Sequence, residues 1–253
     1  MQTRWKFAGL IILQSVVYGL GNPLTKLAYE SITPLWMLST RFVFATLVLG
    51  IIWGRSIWTD LRRVPVRTWL LSSLFTAGSF VSCNYGLLYT SATNVGFIMS
   101  LPLVFAPVLS VFMLHRPYPW RHLPVQVLAL IGLALLCSEG GRFSFGAGDG
   151  LVLITALCIA GVLVTSEAAM AAMHATSIAA VQAAVTGVIC SLLALFFDDG
   201  AVLPGVEPAA WLVVLYLALT CTILAYVVQA IALARLSARV VSLLQYFRSL
   251  RRG

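Results

Sequence analysis

The chain has 253 residues, of which 60% are hydrophobic and only 9% charged, and its mean hydropathy is +0.98. A soluble domain carries about 25% charged and about 45–50% apolar residues, so a soluble enzyme, a disordered chain, a collagen-like fibre and a small disulfide scaffold are excluded. The net charge of +8 does not mark a nucleic-acid binder, because the basic residues sit in short clusters between long apolar runs, the pattern of cytoplasmic membrane loops.

A helix needs about 20 apolar residues to cross the hydrocarbon layer. In chain order the expected spans are 7–28, 34–53, 69–89, 93–114, 122–138, 150–171, 177–197 and 210–234. A ninth apolar run begins near Ala238 and gives way to Arg248, Arg251 and Arg252, so the ninth helix reads as cut short. The fold class is therefore an all-α polytopic membrane protein with about eight full spans and part of a ninth.

Charge placement orients these spans. With the N-terminus in the cytoplasm, the inside loops carry Arg4, Lys6, Arg55, Arg62, Arg63, Arg67, Arg116, Arg121, Arg235 and Arg239. The outside loops carry only Arg142 and Lys26, with most of the acidic residues. That satisfies the positive-inside rule and places the chain in the inner membrane.

The second half echoes the first. At an offset of 141, Gly9 falls on Gly150, Thr25 on Ser166, Lys26 on Glu167 and Arg41 on Gln182; Trp69-Leu70-Leu71 then falls on Trp211-Leu212-Val213 at an offset of 142. Five helices per half would give the halves opposite orientations, as in secondary transporters built from inverted repeats. The expected division is a first repeat over 1–140 and an incomplete second repeat over 148–253.

Polar residues within the spans mark candidate contacts. Gln14, Tyr18 and Asn22 recur every four residues on one face of the first span, and Asn22 precedes Pro23, where the helix is expected to open. Asn84 and Tyr85 on the third span, and Thr222, Tyr226 and Gln229 on the eighth, are the remaining polar and aromatic candidates, with Met99 as an adaptable wall beside the expected kinks at Pro102 and Pro107. Helix-to-helix glue is the competing role for such polar groups. Two ionisable residues within spans are functional candidates by default. Arg41 either pairs with Glu30, binds a substrate carboxylate or holds the structure. Glu167 either relays protons or snorkels to the interface.

Three segments carry a resemblance to a known family. They are Tyr18-Gly-Leu-Gly-Asn-Pro-Leu-Thr-Lys26 with Pro34 and Arg41, Tyr89-Thr-Ser-Ala-Thr-Asn-Val-Gly-Phe-Ile-Met-Ser-Leu-Pro102 with Pro107, and Arg235-Leu-Ser-Ala-Arg-Val-Val-Ser242. The chain resembles the EamA-type members of the drug/metabolite transporter superfamily. The resemblance implies ten helices in two inverted five-helix repeats, with export of amino acids or related small metabolites by alternating access. It departs from the family after the fourth span, where the usual Gly-Glu pair is absent and the corner reads Leu114-His115-Arg116-Pro117-Tyr118-Pro119.

The cysteines Cys83, Cys137, Cys158, Cys190 and Cys221 lie in apolar runs without a CxxC pair, and no metal, cofactor or disulfide framework is expected. The histidines His115, His122 and His174 fall in or beside loops and are expected to be solvated. With no catalytic motif and no nucleotide-binding loop, the reading is a transporter whose partners are a small-molecule substrate and the bilayer, with a homodimer left open. A membrane-embedded enzyme and a truncated, non-transporting product are the alternatives.

Overall fold

A computed structural model describes residues 21, 23–115, 117–118, 120, 123–136, 146–198, 205–225 and 227–228. Among them every regular element is helical. The first expected span lies outside the described residues except for its end, where Gly21 and residues 23–28 are helical.

Helix α1 runs Pro34–Arg63. Proline suits its first turn, where no helical partner awaits the missing N–H. It stops where Pro65 drives Val64 into an extended conformation, φ −108° and ψ 131°, as the residue before proline requires. The expected span ended at 53, but the chain merely bends at Trp53 (φ −121°, ψ 17°) and continues to Arg63. At 1.5 Å per residue α1 is about 45 Å long, more than the hydrocarbon thickness of about 30 Å. Its last turns, with Arg55, Asp60, Arg62 and Arg63, are thus helix beyond the apolar layer and not a loop.

Helix α2 runs Val66–Tyr89. It buries Ser72, Ser73, Thr76, Ser79, Ser82 and Asn84, a polar load that a membrane tolerates only when each group is satisfied. The hydroxyls donate back to their own helix: Ser73 to the Trp69 carbonyl at 2.9 Å, Thr76 to Ser72 at 2.8 Å and Ser79 to Thr76 at 2.7 Å. A polar helix can therefore sit among apolar neighbours.

The fourth expected span is two helices. Helix α3 (Ala92–Ile98) and helix α4 (Pro102–Leu114) are joined by an irregular turn, since Pro102 lacks an N–H to continue the ladder. Helix α4 ends at His115, whose backbone is left-handed at φ 50° and ψ 32°. Then follow α5 (Leu123–Leu136), α6 (Ala147–Ala169), α7 (Ala175–Phe197) and α8 (Pro208–Tyr216), which passes directly into a π-helical stretch, Leu217–Leu224. Four of the described stretches are both long and apolar enough to cross a membrane: Pro34–Arg63, Asn94–Leu114, Ala147–Ala169 and Ala175–Phe197.

The main contacts join early helices to late ones: α1 to α7, α2 to α6 and α7, α4 to α6, and α1 to the π stretch. Leu38, Phe42, Ala45 and Leu49 of α1 interlock with Ala179, Ala180, Ala183 and Cys190 of α7. Small residues bring the backbones close, as is usual where no hydrophobic force acts between helices in lipid. A Cβ on Gly187 would stand 3.3 Å from the Phe42 carbonyl carbon, and one on Gly148 would stand 2.7 Å from that of Tyr89.

Candidate functional site

Arg41 lies in the first half of α1, its side chain only 4% exposed. Its Nε donates to the Thr222 hydroxyl at 2.5 Å. Thr222 belongs to the π-helical stretch and passes its own proton to the Leu217 carbonyl at 3.1 Å. A π-type widening shifts the helix register and often marks a functional position; here it carries the hydroxyl that meets Arg41.

The guanidinium also sits beside two aromatic rings, 5.2 Å from the Phe80 centroid and 5.5 Å from that of Phe42. Those rings meet edge-on at 4.7 Å and 73°. Ring faces attract a cation but do not neutralise it. Arg41 Nη2 is buried with no hydrogen-bond partner, and Glu30, one of the partners considered from sequence, is exposed.

One turn along α2 from Phe80, Asn84 is 6% exposed. Its Nδ2 donates to the Phe80 carbonyl at 2.8 Å, and its Oδ1 accepts the Tyr29 hydroxyl in a short hydrogen bond. Tyr29 packs with Met99, Cys83 and the Leu87–Val95–Ile98 cluster. The Cys83 thiol contacts the Met99 sulfur at 4.0 Å. Arg41, Thr222, Phe42, Phe80, Asn84 and Tyr29 thus converge from α1, α2, the π stretch and the turn before α1.

Of the residues singled out from sequence, Asn84, Arg41 and Thr222 belong to this group and Met99 borders it through Tyr29. Tyr85 is half-buried next to Asn84 on α2. Glu167 is half-buried in the last turn of α6. Gln14, Tyr18, Asn22, Tyr226 and Gln229 lie outside the described residues. Tyr29 was missed, because a tyrosine at the edge of a span reads as an interfacial anchor.

The ends of the helices hold further polar contacts. At one end the Thr33 hydroxyl donates to Asp198 at 2.5 Å. Asp149 at the start of α6 accepts from the Thr90 hydroxyl at 2.6 Å, Asn94 Nδ2 at 3.2 Å and the Gly146 amide at 2.9 Å. At the opposite ends of α1 and α7, Asp60 accepts from His174, so that histidine is bonded rather than merely solvated. Among the described residues no cluster of three or more histidine, cysteine or acidic side chains could hold a metal, and Cys158 and Cys190 are free thiols.

The sequence profile of the EamA-like transporter family matches residues 5–138 and again 146–250. An "Uncharacterized transporter" of Archaeoglobus fulgidus is 29% identical over 153 residues, covering 58% of this chain and 44% of that protein. The chain thus matches less than half the length of that relative. The "Uncharacterized transporter YcxC" of Bacillus subtilis is 25% identical over 241 residues, covering 90% of this chain and 76% of its own. A crystal structure superimposes with a TM-score of 0.70 over 99% of this chain and 85% of that one, at 19% identity, a likeness of fold. Matched in both halves by one profile and similar to proteins named as transporters, this multi-pass helical chain belongs to the EamA-like transporter family of the drug/metabolite transporter superfamily and is a transporter, not an enzyme.

Proposed function

We propose that the protein exports amino acids or related small metabolites across the inner membrane by alternating access, binding its substrate between two inverted repeats, 1–140 and 148–253. The observation that carries this reading is the convergence on Arg41 of groups from both halves: Phe80 and Phe42 from the first, Thr222 from the second. A transporter that exposes one site alternately to each side needs its contacts shared between the parts that move. The aromatic edges suit an apolar side chain, and the polar groups suit its hydrophilic end.

The two matches to one family profile support the two repeats. So does the packing of α1 on α7, whose N-cap residues Thr33 and His174 are also 141 positions apart. The basic residues Arg55, Arg62, Arg63 and Arg67, against Asp149 and Asp198 at the other ends, support a cytoplasmic N-terminus. Within this reading Gln14, Tyr18, Asn22, Tyr85, Met99, Tyr226 and Gln229 complete the cavity around Asn84, and Glu167 is the candidate for ion coupling.

Counterflow of labelled amino acids in proteoliposomes tests the proposal. Uptake driven by unlabelled amino acid inside the vesicles, reduced by Asn84→Ala and Gln229→Ala without loss of reconstituted protein, is the expected result. Equal counterflow in both variants would remove these residues from the cavity; no counterflow of any amino acid would remove the substrate class.

A further inference from the structure

We propose that Arg41 is the anion-binding centre of this transporter and takes the carboxylate of an apolar solute. The inference rests on the transport reading for its setting and adds the charge of the ligand.

A cation held inside a membrane protein is expensive unless an opposite charge meets it. Arg41 is 4% exposed, and among the described residues no carboxylate pairs with it. Asp60, Asp149 and Asp198 are engaged at helix ends, Glu167 stands in the last turn of α6, and Glu30 and Glu207 are exposed. The guanidinium uses Nε for Thr222 and leaves Nη2 buried with a hydrogen to give. A carboxylate is the natural acceptor for the planar donor fork of arginine. Phe42 and Phe80 beside it supply apolar surface for the rest of such a solute.

The repeat partner of Arg41 sharpens the point. At the same place in the second half stands Gln182, a neutral amide whose Nε2 donates to Ser166 at 2.8 Å. The position can therefore be filled without charge and satisfied locally. In the first half a cation stands there with a donor left over, an arrangement that packing alone does not call for.

The test uses the full chain purified in detergent, titrated calorimetrically with 3-phenylpropionate and with its neutral isostere 3-phenylpropionamide. The carboxylate is expected to bind and to raise the melting temperature, and the amide to bind about ten- to a hundredfold more weakly, the effect of losing one charge-assisted hydrogen bond. In Arg41→Gln the two ligands are expected to bind equally weakly, with Arg41→Lys intermediate. Equal affinity for acid and amide in the wild-type protein would overturn the proposal, and that comparison stands even if Arg41→Gln fails to fold. Inorganic phosphate binding as tightly as phenylpropionate would also overturn it, since the aromatic rings would then contribute nothing. Because binding needs no translocation, acid-selective binding without amino-acid counterflow would sink the amino-acid export reading and keep this one. Counterflow retained at full rate in Arg41→Gln would do the reverse.

Discussion

The Asp60 carboxylate receives both the backbone N–H of His174, at 3.0 Å, and its ring Nδ1, at 2.9 Å. Asp60 is in the last turn of α1, where a negative charge opposes the helix dipole. The contact explains its presence. His174 is the N-cap of the antiparallel α7, so the carboxylate that is misplaced on its own helix is well placed on its neighbour. The other ends repeat the device, with Asp198, the C-cap of α7, bonded to Thr33, the N-cap of α1. Neither N-cap residue caps its own helix with its side chain.

Replacing Asp60 by alanine is expected to cost about 1–3 kcal/mol, because it strands a helix N-terminal amide that has no other acceptor. Asp60→Asn keeps an acceptor and loses the charge, so its cost should be roughly half as large. His174→Ala removes only a ring that is 72% exposed, and such a surface pair contributes about 0–1 kcal/mol. Equilibrium unfolding with SDS in mixed micelles would rank the three. A larger loss in His174→Ala than in Asp60→Ala would overturn the assignment.

Thr33→Val is expected to cost about 1 kcal/mol. The two contacts sit at opposite ends of a helix about 45 Å long, so Thr33→Val and Asp60→Ala should add within about 0.5 kcal/mol. Strong non-additivity in the same unfolding assay would mean that the α1–α7 pair tightens or loosens as one unit.

How far the sequence disclosed these features follows from the range of the forces involved. Apolar runs mark spans because burial in lipid acts residue by residue, and 69–89, 150–171 and 177–197 therefore coincide, to within about three residues at each end, with described helices. The extension of α1 to Arg63 was hidden because charge reads as loop, although the turn-forming residue is Pro65. Arg41 stood out as a charge within an apolar run, and Thr222 as a polar residue on its own span. Their meeting depends on how α1 lies against the π stretch, which no local pattern encodes. Asp60 and Tyr29 carry no local signal at all: each is explained only by a partner far along the chain.

His115 is the one described non-glycine residue with positive φ, and it occupies the C-cap of α4. Left-handed backbone costs an L-residue about 1–2 kcal/mol, while glycine pays a conformational penalty of about 0.5–1 kcal/mol in the unfolded chain. His115→Gly should therefore stabilise the protein by about 0.5–1 kcal/mol, with His115→Val destabilising it. A melting temperature lower in His115→Gly than in the wild type would contradict this.

Glycine substitutions on two helices should act in opposite directions. A Cβ on Gly148 would lie 2.7 and 2.8 Å from the Tyr89 carbonyl carbon and oxygen, whereas Gly50 has nothing within 4 Å. Gly148→Ala must push α6 away from α2 and should cost about 2 kcal/mol or more. Gly50→Ala is a mid-helix replacement into open space and should gain about 0.5–1 kcal/mol. Similar effects from both would remove the close approach of α2 and α6 as a determinant of the fold.

Tyr29 joins the turn before α1 to α2 by a bond from its hydroxyl to Asn84. Tyr29→Phe leaves the ring in place and removes the donor, so the Asn84 Oδ1, on a side chain only 6% exposed, loses the hydroxyl it accepts. A penalty of about 1–3 kcal/mol is expected. Asn84→Ala removes the other partner, and the double variant should recover part of the loss through a coupling of about 0.5–3 kcal/mol. Transport then separates two roles. If the pair only fastens helices, Tyr29→Phe lowers stability and leaves the half-saturating substrate concentration in counterflow unchanged. If Asn84 meets the substrate, losing the hydroxyl frees its carbonyl, and that concentration shifts at temperatures where the variant remains fully folded. The second outcome is expected, because Asn84 stands one turn from Phe80, whose ring flanks the Arg41 guanidinium.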